Sequence, residues 1–294
     1  MTKALVIGLG MGQQYKDWMA ELGYSVFTVD VDPAKGANYT NHMDAVNNNS
    51  YDIIYIGTPN WTHESIARDV ARSARLLLIE KPGLVDSNAW ARLILDFPST
   101  RIMMVKNNQY RPEATLFKEL AKKSERVWVR WNNANRIPHP GSWFTTRSKA
   151  FGGVSRDLIP HMLSYYCALT DYTKGVKLFA KASQRYELKD IHNTDYGSVN
   201  PDGTYDVDDF CELEFKNNNT TWILTANWKT NLDHDDSSIA FVINGGANRY
   251  ELGLCPKEAY QNMIMEATNN LDNQEFWIDQ LAQDAWIHKQ IERL

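Results

Sequence analysis

From residue 3 to about 110 the chain alternates short runs of β-branched and aliphatic residues with longer amphipathic stretches. The runs at 4–8, 25–30, 53–57, 76–80 and 102–106 are nearly unbroken in hydrophobicity, which marks strands covered on both faces. Helix-period stretches lie between them, around 12–22, 63–74 and 87–95. Strand, helix and strand in this order make the β-α-β unit of a parallel sheet. Past about residue 124 the pattern changes. The segments 127–131, 177–182, 210–215, 221–228 and 239–243 alternate or carry β-branched residues, and the turns between them, such as Lys216-Asn217-Asn218-Asn219, are rich in Asn, Gly and Asp. This predicts a largely antiparallel sheet. One helix is expected from about Ser155 to Leu169 and another over 272–292. The fold class is therefore α/β, with an N-terminal Rossmann fold over 1–112 and then an α+β domain over 113–294 built on an open, mostly antiparallel sheet. The join near 112–124 is expected to be helical, and the terminal helix is free to pack back on the first domain.

Composition narrows the function. A net charge of −5 and the lack of a long basic run leave no surface suited to neutralising phosphates, so nucleic acid is an unfavoured partner. The apolar runs are too short to span a bilayer, and the first residues lead into a strand without a cleavable leader. Cys167, Cys211 and Cys255 stand singly, without metal-ligand spacing and in an odd number that argues against a disulfide framework. The expectation is a cytoplasmic protein with no metal and no membrane partner.

Several segments carry chemistry. Gly8-Leu9-Gly10-Met11-Gly12 joins the first strand to a helix, where glycine lets the backbone approach a pyrophosphate and the first helical N–H groups hold its charge. Asp30 ends the next apolar run, where a carboxylate accepts hydrogen bonds from adenosine ribose hydroxyls. The spacing departs from G-x-G-x-x-G, since position 13 is Gln13 and the third glycine is Gly12. Thr58-Pro59-Asn60 with His63, and Glu80-Lys81-Pro82, close two further buried strands, whose carboxyl ends face the ligand crevice of an open sheet. A lysine ending a buried strand is costly unless it is paired or working; its plainer reading is a side chain emerging into solvent. Asp157 and His161 stand four apart on the predicted helix, with Tyr165 continuing their face. A carboxylate beside an imidazole can accept a hydroxyl proton. The competing reading is a capping acid and a core histidine.

Taken together, the glycine turn at 8–12, Thr58-Pro59-Asn60 with His63, Glu80-Lys81-Pro82, Asn108-Gln109-Tyr110-Arg111-Pro112, Gly152-Gly153 followed by Asp157 and His161, and the segment from Val207-Asp208-Asp209-Phe210 to Trp228 resemble the glucose-fructose oxidoreductase, inositol dehydrogenase and MocA-like family. The resemblance implies an NAD(P)-dependent dehydrogenase moving hydride to or from a secondary hydroxyl of a sugar, cyclitol or sugar derivative. It implies that Gly8, Gly10, Met11, Gly12, Asp30, Thr58, Pro59, Asn60, His63, Glu80 and Lys81 hold the cofactor. Lys81 is then near the nicotinamide, Asp157 orients the substrate, and His161 is the acid or base, with Lys81 as the rival base. Tyr110, Arg111, Trp143 and Arg147 are expected substrate contacts, although Trp143 also suits core filling. NAD is the expected cofactor because of Asp30; NADP is the alternative, since Lys35 softens the repulsion of a 2′-phosphate. The expected partners are a small polyhydroxylated substrate and further copies of the chain, in a homodimer or homotetramer formed through the C-terminal sheet. Ser164 departs from the family pattern, which often has a second Asp there. Reduction of an imine or linear tetrapyrrole, and a non-catalytic dinucleotide sensor, are the rival functions on this fold.

Overall fold

The computed structural model describes residues 2–47 and 49–294. The first part of the chain forms β1 (Lys3–Ile7), α1 (Gly12–Glu21), β2 (Ser25–Val29), α2 (His42–Val46), β3 (Tyr51–Ile56), α3 (His63–Val70), β4 (Ala74–Ile79), α4 (Ser87–Asp96) and β5 (Arg101–Met104). There follow α5 (Ala114–Lys123), β6 (Arg126–Asn132), α6 (Arg147–Ala150), α7 (Val154–Asp157), α8 (Ile159–Leu169) and β7 (Val176–Ser183). The rest is β8 (Phe210–Asn217), β9 (Thr220–Asn227), β10 (Asp236–Ile243), β11 (Gly246–Glu251), α9 (Lys257–Asn269) and α10 (Gln274–Ile291). Two compact units result. One joins the residues up to Lys106 with Lys257–Glu292, and the other is Asn107–Pro256 with Arg293–Leu294.

The first unit holds a parallel sheet in the order β2-β1-β3-β4-β5. Leu5, Val6, Ile53, Ile54, Leu76, Leu77 and Leu78 are wholly buried, which is why these strands read as continuous apolar runs. Beyond β2 a single parallel bridge pairs Val29 with Tyr39. With Tyr39 in the place of one more strand, the order becomes that of a doubly wound dinucleotide-binding sheet. The chain leaves β1 for β2 on one side and returns to β3 on the other. The carboxyl ends of β1 and β3 therefore bound the crevice where such sheets take ligands. α10 packs on β5 and α4, and α9 packs on α1.

The second unit is built on a six-stranded sheet, β11-β10-β6-β9-β8-β7, antiparallel except where β6 runs parallel to β9. β8 and β9 alternate as a one-sided sheet should. Leu213, Phe215, Trp222 and Leu224 are buried, while Glu212, Glu214, Ile223 and Thr225 on the other face stay partly exposed. The helix expected from Ser155 to Leu169 is interrupted: α7 ends at Asp157 and α8 begins at Ile159. Pro160 has no N–H to give the carbonyl of Arg156, so the ladder loses a bond at that turn. β11 and α9 have no counterpart among the sequence-predicted elements.

Candidate active site

The glycine turn follows β1 directly. Gly8 has φ +90°, and a Cβ there would stand 2.7 Å from the carbonyl oxygen of Gly57, so both backbone angle and space demand glycine. A Cβ on Gly12 would lie 2.8 Å from Val6 Cγ1. Gly12 thus performs the close helix-on-strand packing that the third glycine of the usual motif serves from position 13. At Gly10 nothing lies within 4 Å of an added Cβ, and Gly10 and Met11 are exposed. The backbone is therefore open to a ligand at Gly10 and Met11, where α1 begins, while the N–H groups of Gln13 and Gln14 already donate to the carbonyls of Gly10 (3.3 Å) and Met11 (3.0 Å).

Asp30, just past β2, is buried and multiply bonded. Its Oδ2 accepts from Leu9 N–H (2.7 Å) and from Lys35 Nζ (3.0 Å), and its Oδ1 accepts from Asp32 N–H (2.9 Å). Burial pushes the carboxyl up, but the N–H groups of Asp32 and Leu9 and the Lys35 ammonium outweigh it and leave it below the ordinary carboxylate value. Asp30 therefore fixes the glycine turn from below while lying at the sheet edge where a ribose would arrive.

At the end of β3, the Thr58 and Thr62 hydroxyls are 2.7 Å apart, and Pro59 and Asn60 are half-buried. His63 opens α3 with no exposed surface. Its Nδ1 faces the carbonyl of Gly83 (2.9 Å) and its Nε2 that of Thr58 (2.8 Å). A neutral ring has one N–H and so bonds one of the two carbonyls at a time, whereas the protonated ring bonds both. Burial holds its pKa below the ordinary histidine value, although the two carbonyls favour the charged form. The unfolded chain binds this proton more readily than the folded one, so stability should be full above the unfolded value of about 6.5 and fall as pH drops below it. Urea unfolding across that window should show this loss, and His63→Asn should flatten it.

Glu80 and Lys81 follow β4, and the Lys81–Pro82 peptide bond is cis. Glu80 Oε1 accepts from the Tyr55 hydroxyl (3.1 Å) and Oε2 from Lys81 N–H (3.1 Å). Burial raises the Glu80 carboxyl above its usual value against the pull of the Lys81 charge. Tyr55 in turn stacks on Tyr15 of α1 at 3.8 Å between ring centroids. The Glu-Lys pair is thereby tied through aromatic packing to the helix that opens at the glycine turn.

In the second unit, Asp157 and His161 are both half-buried. Asp157 Oδ2 accepts from the indole N–H of Trp228 (2.9 Å), and the His161 ring lies 5.7 Å from that of Trp131. Asp208, wholly buried, accepts from the N–H groups of Gly153 and Ser155 (2.9 and 2.7 Å) and from the Ser155 hydroxyl (2.8 Å), which anchors the start of α7. Asp208 and Trp228 are supporting residues to which motif reading gives no role. Their only sequence signal is two adjacent acids before a strand and a Trp at the end of the next. Ser164 donates to the carbonyl of His161 (2.8 Å) and so continues the helix rather than supplying a second acid.

The four expected substrate contacts fare differently. Tyr110 is half-buried at the end of a short 3-10 turn. Trp143 stacks on Phe144 at 3.9 Å, and Arg147 is exposed and bonds Asp206 through its N–H (2.7 Å) and Nε (3.2 Å). Arg111 is engaged within its own unit. Its guanidinium is buried and donates to Asn108 Oδ1 (2.8 Å), Glu113 Oε1 (3.1 Å) and the carbonyls of Leu252 (2.7 Å) and Gly253 (3.0 Å). Among the described residues no group of three or more His, Cys, Asp and Glu is arranged to hold a metal ion, and no helix is long and apolar enough to cross a membrane.

No family model matches the chain. A protein of Amycolatopsis mediterranei (strain S699), named as the oxidoreductase subunit of a UDP-kanosamine synthase, is 26% identical over 179 residues, 55% of this chain and 50% of that protein. The match thus spans about half the length of that relative. Solved structures match over nearly the whole chain. GenD2 from gentamicin A biosynthesis, in complex with NAD, has a TM-score of 0.77 at 16% identity, over 99% of this chain and 92% of that one. Levoglucosan dehydrogenase, in complex with NADH and levoglucosan, has a TM-score of 0.75 at 14% identity, over 99% and 95%. A myo-inositol dehydrogenase from Corynebacterium glutamicum ATCC 13032 has a TM-score of 0.73 at 12% identity, over 100% and 95%. These neighbours are oxidoreductases of the glucose-fructose oxidoreductase, inositol dehydrogenase and MocA-like kind, and the likeness is one of fold.

Proposed function

We propose that this chain is an NAD-dependent oxidoreductase that interconverts a secondary hydroxyl and a ketone on a sugar, cyclitol or sugar derivative. The observation that carries the reading is the turn itself. Gly8 and Gly12 are locked by space, Gly10 is open, and Asp30 is bonded to Leu9 at the β1–β3 crossover. That arrangement fits a dinucleotide, with the pyrophosphate against Gly10 and Met11 and the ribose toward Asp30. Thr58, Pro59, Asn60 and Glu80 border the same carboxyl edge, and His63 supports it from below. When bound, the nicotinamide ring supplies the acceptor or donor of a hydride.

The protein handles position and protons. Asp157, held by Trp228, orients the substrate by accepting from one of its hydroxyls. His161 takes the proton of the reacting hydroxyl, and Lys81 polarises the reacting oxygen with its ammonium group. Tyr110, Trp143 and Arg147 are assigned to outlying hydroxyls. NADH formation in a panel of inositols, hexoses, anhydrosugars and nucleotide sugars tests the reading. Turnover with one polyol class is expected; turnover with none of them, while an imine is reduced, would contradict it.

NAD should bind at least tenfold, about 1.4 kcal/mol, more tightly than NADP by titration calorimetry. A 2′-phosphate arriving at Asp30 meets a carboxylate held ionised, which Lys35 offsets only in part. The reverse order of affinities would overturn the assignment of Asp30.

Self-association through the open sheet is part of the proposal. On its partly exposed face Trp128 lies between Arg126 and Arg130, each 5.4 Å from the ring, beside Ile223, Glu212 and Glu214. A central apolar strip flanked by acids on one side and arginines on the other is self-complementary, which suits a symmetric pair. Sedimentation should give a dimer or tetramer, and Trp128→Glu should shift it to monomer.

A further inference from the structure

The loop after β4 is gripped by two imidazoles from distant parts of the same unit. His63 meets the carbonyl of Gly83. His288, from α10, comes to the neighbouring residue, and its Nε2 lies 3.1 Å from the Leu84 nitrogen whose N–H it accepts. Its Nδ1–H donates to the carbonyl of Asp284 (2.7 Å), one helical turn earlier, and its ring stacks on Trp90 at 4.8 Å. This geometry sets the tautomer, because Nε2 can accept only without a proton, which places the proton on Nδ1. Gly83 makes the approach possible: a Cβ there would stand 2.5 Å from Nε2 and 2.7 Å from Cε1 of His288.

His288 is wholly buried, so it touches no solvent. A leucine or phenylalanine would fill the same volume beside Trp90. Only a side chain with an acceptor at that point satisfies the Leu84 N–H, and a buried donor without an acceptor is expensive. The held segment is short. Gly83 N–H donates to the carbonyl of Glu80 (3.0 Å), so Lys81 and Pro82 form the tip of a single turn whose far side is pinned by both histidines.

We propose that His288 is a positioning residue for Lys81. With His63 it clamps the turn from Glu80 to Leu84 and sets where the Lys81 ammonium group stands. The proposal rests on the reading of Lys81 as catalytic, but the clamp can be tested apart from it.

Three measurements do so. In the wild-type protein, nitrogen-15 spectra of the histidine rings should show His288 as the neutral Nδ1–H form. Amide exchange should be slow at Leu84 and at least about tenfold faster in His288→Phe, with the β4 amides unchanged. Turnover in His288→Phe should fall about 10- to 100-fold with NAD affinity within about threefold, as misplacement of a reacting group without loss of binding requires. His288→Gln, whose amide oxygen can accept from Leu84, should recover most of both effects. A protonated Nε2 in the wild type, or unchanged exchange at Leu84 in His288→Phe, would overturn the clamp whatever Lys81 does. A released Leu84 amide with wild-type turnover would overturn the link to Lys81. Wild-type turnover in Lys81→Met would instead indict the functional reading itself.

Discussion

Lys106→Met should destabilise the protein by about 3–5 kcal/mol, the usual consequence of removing one partner of a buried ion pair. Lys106 and Asp284 are each fully buried, and the ammonium group contacts Asp284 Oδ1 directly. The other carboxylate oxygen accepts from the N–H of Met104 (3.0 Å), so the pair ties α10 to the end of β5. Burial raises the Asp284 carboxyl and the Lys106 charge opposes that rise. Without the lysine the carboxyl must either stay ionised in an apolar site or take up a proton, and both are costly. Urea unfolding gives the number, from the midpoint and slope. Lys106→Met combined with Asp284→Leu should recover part of the loss, because no lone charge remains buried, although Met104 N–H is then left without its acceptor. A single variant within about 0.5 kcal/mol of wild type, the usual range of surface substitutions, would mean that the pair is not closed in solution.

Lys81→Met and His161→Ala should each lower turnover by about 10² or more while leaving NAD affinity within a few-fold. As a carbinol is oxidised its hydroxyl proton must leave in step, which calls for a base within hydrogen-bond reach. Asp157 already accepts from Trp228, and an ordinary lysine side chain is protonated at neutral pH, with no lone pair to take a proton. His161 is then the better acceptor. The rising limb of the pH profile of kcat/KM in the oxidation direction should disappear in His161→Ala. If it persists at wild-type turnover, the base lies elsewhere, and Lys81 takes its place.

The first unit was the more legible in sequence, and the reason is physical. Strands buried on both faces read as unbroken apolar runs, as β1, β3, β4 and β5 do, and β2 is legible too although Ser25, Val26 and Phe27 are only half-buried. β11 escaped because it is an edge strand, exposed along nearly all its length, with no burial to impose alternation. α9 escaped because two of its four buried positions are alanines, Ala259 and Ala267, so its helical stripe is faint. At the site, the glycines, Asp30, Glu80 and Lys81 announce themselves by strand-end position. For Arg111, polarity in a loop cannot distinguish a ligand contact from a strut for backbone carbonyls. Asp208, Trp228 and His288 act across 53, 71 and 204 residues of sequence. Spacing along a chain holds no trace of such partnerships.

The most direct test follows the hydrogen itself. The protein is incubated with NAD and a pool of inositols and hexoses deuterated at their carbinol carbons, and the nicotinamide is recovered for mass spectrometry. One deuterium is expected in the reduced nicotinamide, appearing about 10²-fold more slowly in a Lys81→Met control. NAD that binds to the protein but returns unlabelled from every pool would contradict it, since the chain would then hold the dinucleotide without using it on a carbinol.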